Sequence, residues 1–281
     1  MKPSLYLGLC TQFFDLDKPV PTFEEYAFFH HYIAQAQGHI LEPMCGTGRY
    51  LIPYTQEGFN IEGFDASPFM LNALQRKCVE QNIKPIVWEQ FLEDVPTTLL
   101  RPSCGEASSV AKAMEDMSEG FQQGFVGQAK QYNLIFIPDS SFSLFLNIDH
   151  IKTCLRKIYA LLELGGTFVF DIETIYAVPD KIGIWHGKAY KKSDGTTIMC
   201  SVLPLAPENN IATAICRYEL FDTTEIIKTE MEYFQIKLYH PEEMDALLKE
   251  VGFSQIKRVA AYDLHAEPSA YDYTIVYECI K

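Results

Sequence analysis

The run from His39 to Asp65 constrains this chain more than any other stretch. Ile40 and Leu41 begin a short apolar strand, Gly46 and Gly48 interrupt it, and Tyr50 to Glu57 predicts a helix that Gly58 stops. Phe59, Ile61 and Phe64 then make a second strand that ends on Asp65. Strand, glycine turn, helix and strand in this order are the unit from which α/β sheets are built.

Each piece of the unit has a chemical use. Glycines at 46 and 48 let a ligand lie against the backbone. The N–H groups at the start of the following helix favour negative charge. Asp65 can accept both hydroxyls of a ribose, and Glu42, on the first strand, can face an ammonium. An ammonium, a carboxylate and a ribose in one ligand describe S-adenosylmethionine better than a dinucleotide. A dinucleotide site also wants a third glycine at position 51, which is Leu51 here.

Glu42-Pro-Met-Cys-Gly-Thr-Gly48, followed by Phe64-Asp-Ala-Ser-Pro-Phe-Met70, resembles motifs I and II of the class I S-adenosylmethionine-dependent methyltransferases, in their small-molecule branch of glycine and aminosugar N-methyltransferases. The resemblance implies a doubly wound, seven-stranded Rossmann-like sheet with helices on both faces. It implies S-adenosylmethionine as cofactor, S-adenosylhomocysteine as product, and transfer of a methyl group to nitrogen or oxygen of a small acceptor. Mapped residue by residue, it assigns cofactor contacts to Glu42, Cys45, Gly46, Thr47, Gly48 and Arg49, and then to Asp65, Ala66, Ser67 and Met70. Relatives end the third strand with Gly-Asp-Met, whose Asp holds the adenine amino group. The aligned run here is Glu89-Gln90-Phe91. Gln90 can still accept through its carbonyl and Phe91 can stack on a ring.

Tyr132 to Ile137 reads as the fourth strand and ends in Pro138-Asp-Ser-Ser-Phe142. The carboxyl ends of central strands open on the site in a doubly wound sheet, so Pro138, Asp139 and Ser140 are expected beside the transferable methyl, with Ser141 toward the acceptor. The segment is not the Asn/Asp-Pro-Pro-Tyr/Phe signature of base or glutamine N-methylation, and Leu144 stands near where the aminosugar branch often carries His. Ile148 to Leu162 predicts an amphipathic helix that Gly165-Gly166 ends, with Thr167 to Asp171 as the fifth strand. Asp139 and Asp171 are the candidate catalytic proton acceptors.

Around this core, residues 1–38 read as an aromatic helical cap, its helix running from Glu24 to Gln37 behind a Thr22 cap. The resemblance implies that this segment folds over the cofactor, with Tyr6, Phe14 and Tyr26 shaping the acceptor pocket. The methyltransferase domain takes 39–184 and 240–281, interrupted by a polar insertion at 97–131 with weak helical character over 107–121. Residues 185–239 read as an inserted antiparallel β lobe that could join two copies into a homodimer. Tyr239 to Phe253 predicts a helix with His240 as its cap and Gly252 at its end. Ile256 to Leu264 and Tyr271 to Cys279 are the closing strands.

With 37 acidic against 23 basic residues, a net charge of −14 argues against a nucleic-acid partner, which needs a basic face. No apolar run suits a membrane, and the start lacks a signal-peptide core, so a cytoplasmic protein is expected. The eight cysteines are scattered, so their spacing offers neither a metal knuckle nor a redox pair. Two other readings remain open at this point: a non-catalytic S-adenosylmethionine-binding module and a NAD-linked oxidoreductase.

Overall fold

The protein is described by a computed structural model covering residues 6–96 and 130–281. The expected insertion at 97–131 falls almost wholly outside the described residues. The described elements are α1 (Gly8–Asp17), α2 (Phe23–Gln35), β1 (Ile40–Pro43), α3 (Leu51–Gln56), β2 (Ile61–Asp65), α4 (Pro68–Glu80), β3 (Ile86–Glu89), β4 (Tyr132–Ile137), α5 (Ile148–Leu161), β5 (Leu162–Glu173), β6 (His186–Lys191), β7 (Thr197–Pro204), β8 (Ile211–Phe221), β9 (Ile226–Lys237), α6 (Pro241–Val251), β10 (Gln255–Ala260) and β11 (Thr274–Ile280).

Seven strands form one sheet in the order β3-β2-β1-β4-β5-β11-β10. Parallel pairing joins β3, β2, β1, β4 and β5, while β11 runs antiparallel between β5 and β10. The order reverses between β1 and β4, which leaves a crevice beyond their carboxyl ends. Both faces of the sheet are covered. Leu41, Ile135, Phe168 and Phe170 pack with Ile151, Leu155 and Ile158 of α5 on one side. Ile40, Leu134 and Phe136 pack with Phe28, Phe29 and Ile33 of α2 on the other. Burial on both faces is why these central strands read as unbroken apolar runs.

Local signals explain most elements. Thr22 and Glu25 make a reciprocal capping box at the start of α2. Ser67 accepts from the Met70 N–H, and Pro68 opens α4. Gly252, at φ +115°, ends α6. His240 occupies the first cap of α6, but its side chain makes no capping hydrogen bond.

Two expectations change. The fifth strand begins at Leu162, directly after α5, so Gly165 and Gly166 lie inside it and do not precede it. The register of β5 against β4 shifts between Tyr132 and Leu134, and a Cβ on Gly166 would meet backbone oxygens of Glu163 and Tyr132 at 3.0 Å. The glycines therefore permit a bulge in the strand. The N-terminal segment carries a second helix, α1, with no local cap. Glu232 and Glu230 on β9 accept the N–H groups of Leu7 and Leu9 at 2.6 and 2.7 Å. The lobe is a separate four-stranded antiparallel sheet, β6-β7-β8-β9, whose first strand begins at His186, and α1 lies against it through Leu9, Cys10 and Phe13.

Candidate active site

Beyond β1 the chain turns through Met44 and Gly46, both with positive φ, into α3. A Cβ on Gly46 would meet nothing nearer than the Met70 sulfur at 3.9 Å, so open space lies over this turn. Gly48 plays a different part from the one expected. It does not line the cavity, and a Cβ there would press on Ile52 and Leu74 at 3.0 Å, so this glycine serves packing between α3 and α4. Leu51 is fully buried, and the side chain missing from Gly63 makes room for it, a Cβ there falling 2.4 Å from Leu51 Cδ1. Close approach of helix and strand is thus achieved from β2, without the third glycine of a dinucleotide turn.

Asp65 closes the turn from the next strand. Its two oxygens accept from the Gly46 N–H at 2.9 Å and the Ser67 N–H at 2.7 Å. Burial raises its carboxyl to about 6 despite these bonds. Glu42 is 2% exposed, and one of its oxygens, Oε2, has no hydrogen-bond partner among the described residues. Burial first, then the charges of Asp139 and Asp65, push its carboxyl well above the usual carboxylate range. A buried, unpartnered carboxylate oxygen is costly unless a cation meets it. Thr47 Oγ1, also buried, lacks a partner among the described residues as well.

Asp139 and Ser140, after β4, both adopt left-handed backbone conformations at φ 61° and 51°. Asp171 on β5 holds that corner: its Oδ2 accepts from the Ser140 N–H at 2.7 Å and Oγ at 3.1 Å, and from the Tyr262 hydroxyl at 3.3 Å. Asp139 projects into the cavity, where Oδ1 receives Arg49 Nη1 at 2.5 Å and Lys18 Nζ at 3.5 Å. Arg49 Nη2 also donates to Glu25 at 2.6 Å, so the guanidinium ties α2 to the two turns.

Glu42, Thr47, Arg49, Asp65 and Asp139 border one cavity of about 450 Å³, within the usual range for a small-molecule site. Of the residues singled out from sequence, Glu42, Cys45, Gly46, Thr47, Arg49, Asp65, Ala66, Ser67, Met70, Gln90, Phe91, Pro138, Asp139, Ser141, Tyr6 and Phe14 line it. Gly48, Ser140, Asp171 and Tyr26 do not. Tyr26 stacks on Tyr54 at 4.8 Å and donates to Glu57, which fixes it on the far side of α3. Asp171 is fully buried behind the Ser140 corner, its carboxyl raised to about 7 by burial and by Asp139. Neither can touch a ligand in the cavity as it stands.

The far wall escaped sequence reasoning. It comes from α1 and the lobe: Cys10, Phe13, Asp17 and Lys18 on one side, and Cys200, Val202, Ala214, Cys216, Tyr218 and Phe234 on the other. The signal was the alternation 200/202 and 214/216/218, which points successive side chains of β7 and β8 to one face. That the face meets α1 is visible only in three dimensions. Cys10 Sγ lies 3.2 Å from the Tyr218 hydroxyl, joining the two halves of the wall.

No family model matches the chain. A candidate methyltransferase of Bacillus subtilis, YqeM, is 21% identical over 290 aligned positions, covering 99% of this chain and 97% of that one. Among solved structures, an S-adenosylmethionine-dependent methyltransferase from Clostridium acetobutylicum superposes with a TM-score of 0.68 at 18% identity, covering 96% of each chain. CalS10, an amino pentose methyltransferase from Micromonospora echinaspora solved with S-adenosylmethionine bound, superposes at 0.62 with 14% identity, covering 100% of this chain and 99% of that one. The chain therefore has the Rossmann-like fold of S-adenosylmethionine-dependent methyltransferases, with a second antiparallel sheet beside it.

Proposed function

We propose that this chain is an S-adenosylmethionine-dependent methyltransferase acting on a small molecule. The observation that carries the reading is the unpartnered, buried carboxylate oxygen of Glu42, set across the open Gly46 turn from Asp65. That donor set fits the cofactor. Glu42 would hold its ammonium, the turn N–H groups its carboxylate and Asp65 its ribose. Met70, Gln90 and Phe91 would border the adenine. Gln90 spends its amide N–H on the Phe91 carbonyl at 3.2 Å, and its side-chain carbonyl would accept from the adenine amine.

When bound, the cofactor supplies a sulfonium methyl whose positive charge vanishes as the methyl leaves. An aromatic and thiol-lined wall does not oppose such a step, and the protein's main task is alignment. Tyr6, Phe14 and Ser141 would frame the acceptor. Asp139, on the cavity wall beside Ser141, would take a proton from an amine or hydroxyl acceptor. Asp171 would act one step back by fixing the Ser140 corner. Seven described thiols, all buried and free, suit a reducing cytoplasm.

A homodimer through the lobe belongs to the same reading. β9 is an edge of the lobe sheet, and Ile226, Ile227, Met231 and Tyr233 are each more than half exposed along it.

Calorimetry with S-adenosylhomocysteine and with NAD tests the cofactor. Binding of the first alone is expected, and binding of NAD alone would refute the assignment. Turnover of a labelled methyl donor across amines, hydroxyls and carboxylates then separates an enzyme from a binding module.

A further inference from the structure

Sequence spacing offers no metal ligands, yet the fold gathers three. The turn after β3 carries Glu93, and α5 carries His150 and Cys154 one helical turn apart, on one face. One ligand atom from each, a carboxylate oxygen, an imidazole nitrogen and a thiol sulfur, lie within 4.8 Å of one another. His150 Nε2 and a Glu93 oxygen are already 3.2 Å apart. Ligand atoms around a tetrahedral zinc ion sit about 3.5 Å apart, so closure asks for shifts of about 1 Å.

We propose that Glu93, His150 and Cys154 form a site for a zinc-class divalent cation, with water completing the coordination. Thiolate, imidazole and carboxylate together suit zinc or cobalt better than calcium or magnesium. Binding forms the metal–sulfur bond and sends the thiol proton to solvent. Asp94 adds negative charge beside Cys154. Cys154 is buried, while Glu93 and His150 keep 19% and 27% exposure, which leaves an open side for ion and water. Phe145 packs edge-on against the His150 ring at 5.2 Å and limits its swing. Glu93 also lines the cavity next to Gln90 and Phe91, so the ion would pin this wall to α5.

The full chain, stripped with a chelator and kept reduced, is titrated with Co²⁺. Thiolate-to-cobalt charge-transfer absorption should saturate at one equivalent per chain, and Zn²⁺ should displace it. Cys154→Ser should abolish the absorption, His150→Gln and Glu93→Gln should weaken Co²⁺ binding at least tenfold, and Cys78→Ser should leave it intact. If Cys154→Ser does not fold, the two partly exposed positions carry the test. No absorption in the wild-type chain, or the same absorption and affinity in the variants, overturns the site and leaves an ordinary His150–Glu93 ion pair above a core thiol. The readout needs neither cofactor nor turnover, so it stands or falls apart from the methyltransferase proposal.

Discussion

Asp65 and Asp171 join Glu42 among the buried acids whose carboxyls are raised, and each makes stability depend on pH. Burial raises Asp65 to about 6 and Asp171 to about 7, from 3.8 for the free side chain. Between roughly pH 4 and 7 the folded chain thus holds protons that the unfolded chain has released, and these two groups make stability fall as pH rises through that window. Asp171→Asn should flatten the fall, since the amide keeps an oxygen for Ser140 and cannot ionise. Chemical denaturation across this range checks it, and an unchanged slope would show that other groups dominate. At the ligand, Asp65→Ala should weaken S-adenosylhomocysteine binding by more than about 1 kcal/mol, because a charge-assisted pair is lost. Unaltered affinity in calorimetry would refute the ribose role.

At the level of elements, the crossover from β1 to β2 depends on glycines with opposite duties. Gly63→Ala should destabilise by about 1–3 kcal/mol, since its Cβ would overlap Leu51 inside a packed core. Gly46→Ala faces open space and carries only the strain of φ +53°, so it should cost the fold about 1 kcal/mol and cofactor binding much more. Urea melts beside calorimetry separate the two; equal effects of both on stability would contradict the division. Helix α1 gives a second case. Glu230 and Glu232 serve as its cap from a distant strand, so alanine at either should cost about 1 kcal/mol and loosen the cavity wall. Hydrogen exchange over residues 8–17 reads this directly, and unchanged protection would count against it.

At the scale of the molecule, the described residues form a seven-stranded sheet and a four-stranded sheet, with α1 packed on the smaller one. If the exposed edge of β9 is the dimer seam, Met231→Glu with Tyr233→Glu should yield monomers in sedimentation while S-adenosylhomocysteine affinity holds. Dimers persisting in the double variant would move the seam elsewhere. No described helix is long and apolar enough to cross a membrane.

The sequence by itself determined the crossover unit, because each of its signals is local: apolar runs, a capping Ser67, and glycines where the backbone turns left-handed. The same holds for α2, α4 and α6, whose caps lie within a few residues of their first turns or at their ends. Only the tertiary structure decided α1, whose capping acids lie more than two hundred residues away. It also decided that Gly165 and Gly166 bend a strand that local reading places after them, since the bulge exists only against β4. The far wall of the cavity and the Glu93–His150–Cys154 cluster belong with these. Each draws on elements far apart in the chain, α1 with β7 and β8 in one case and the turn after β3 with α5 in the other, and only pairing and packing bring them within reach of one another.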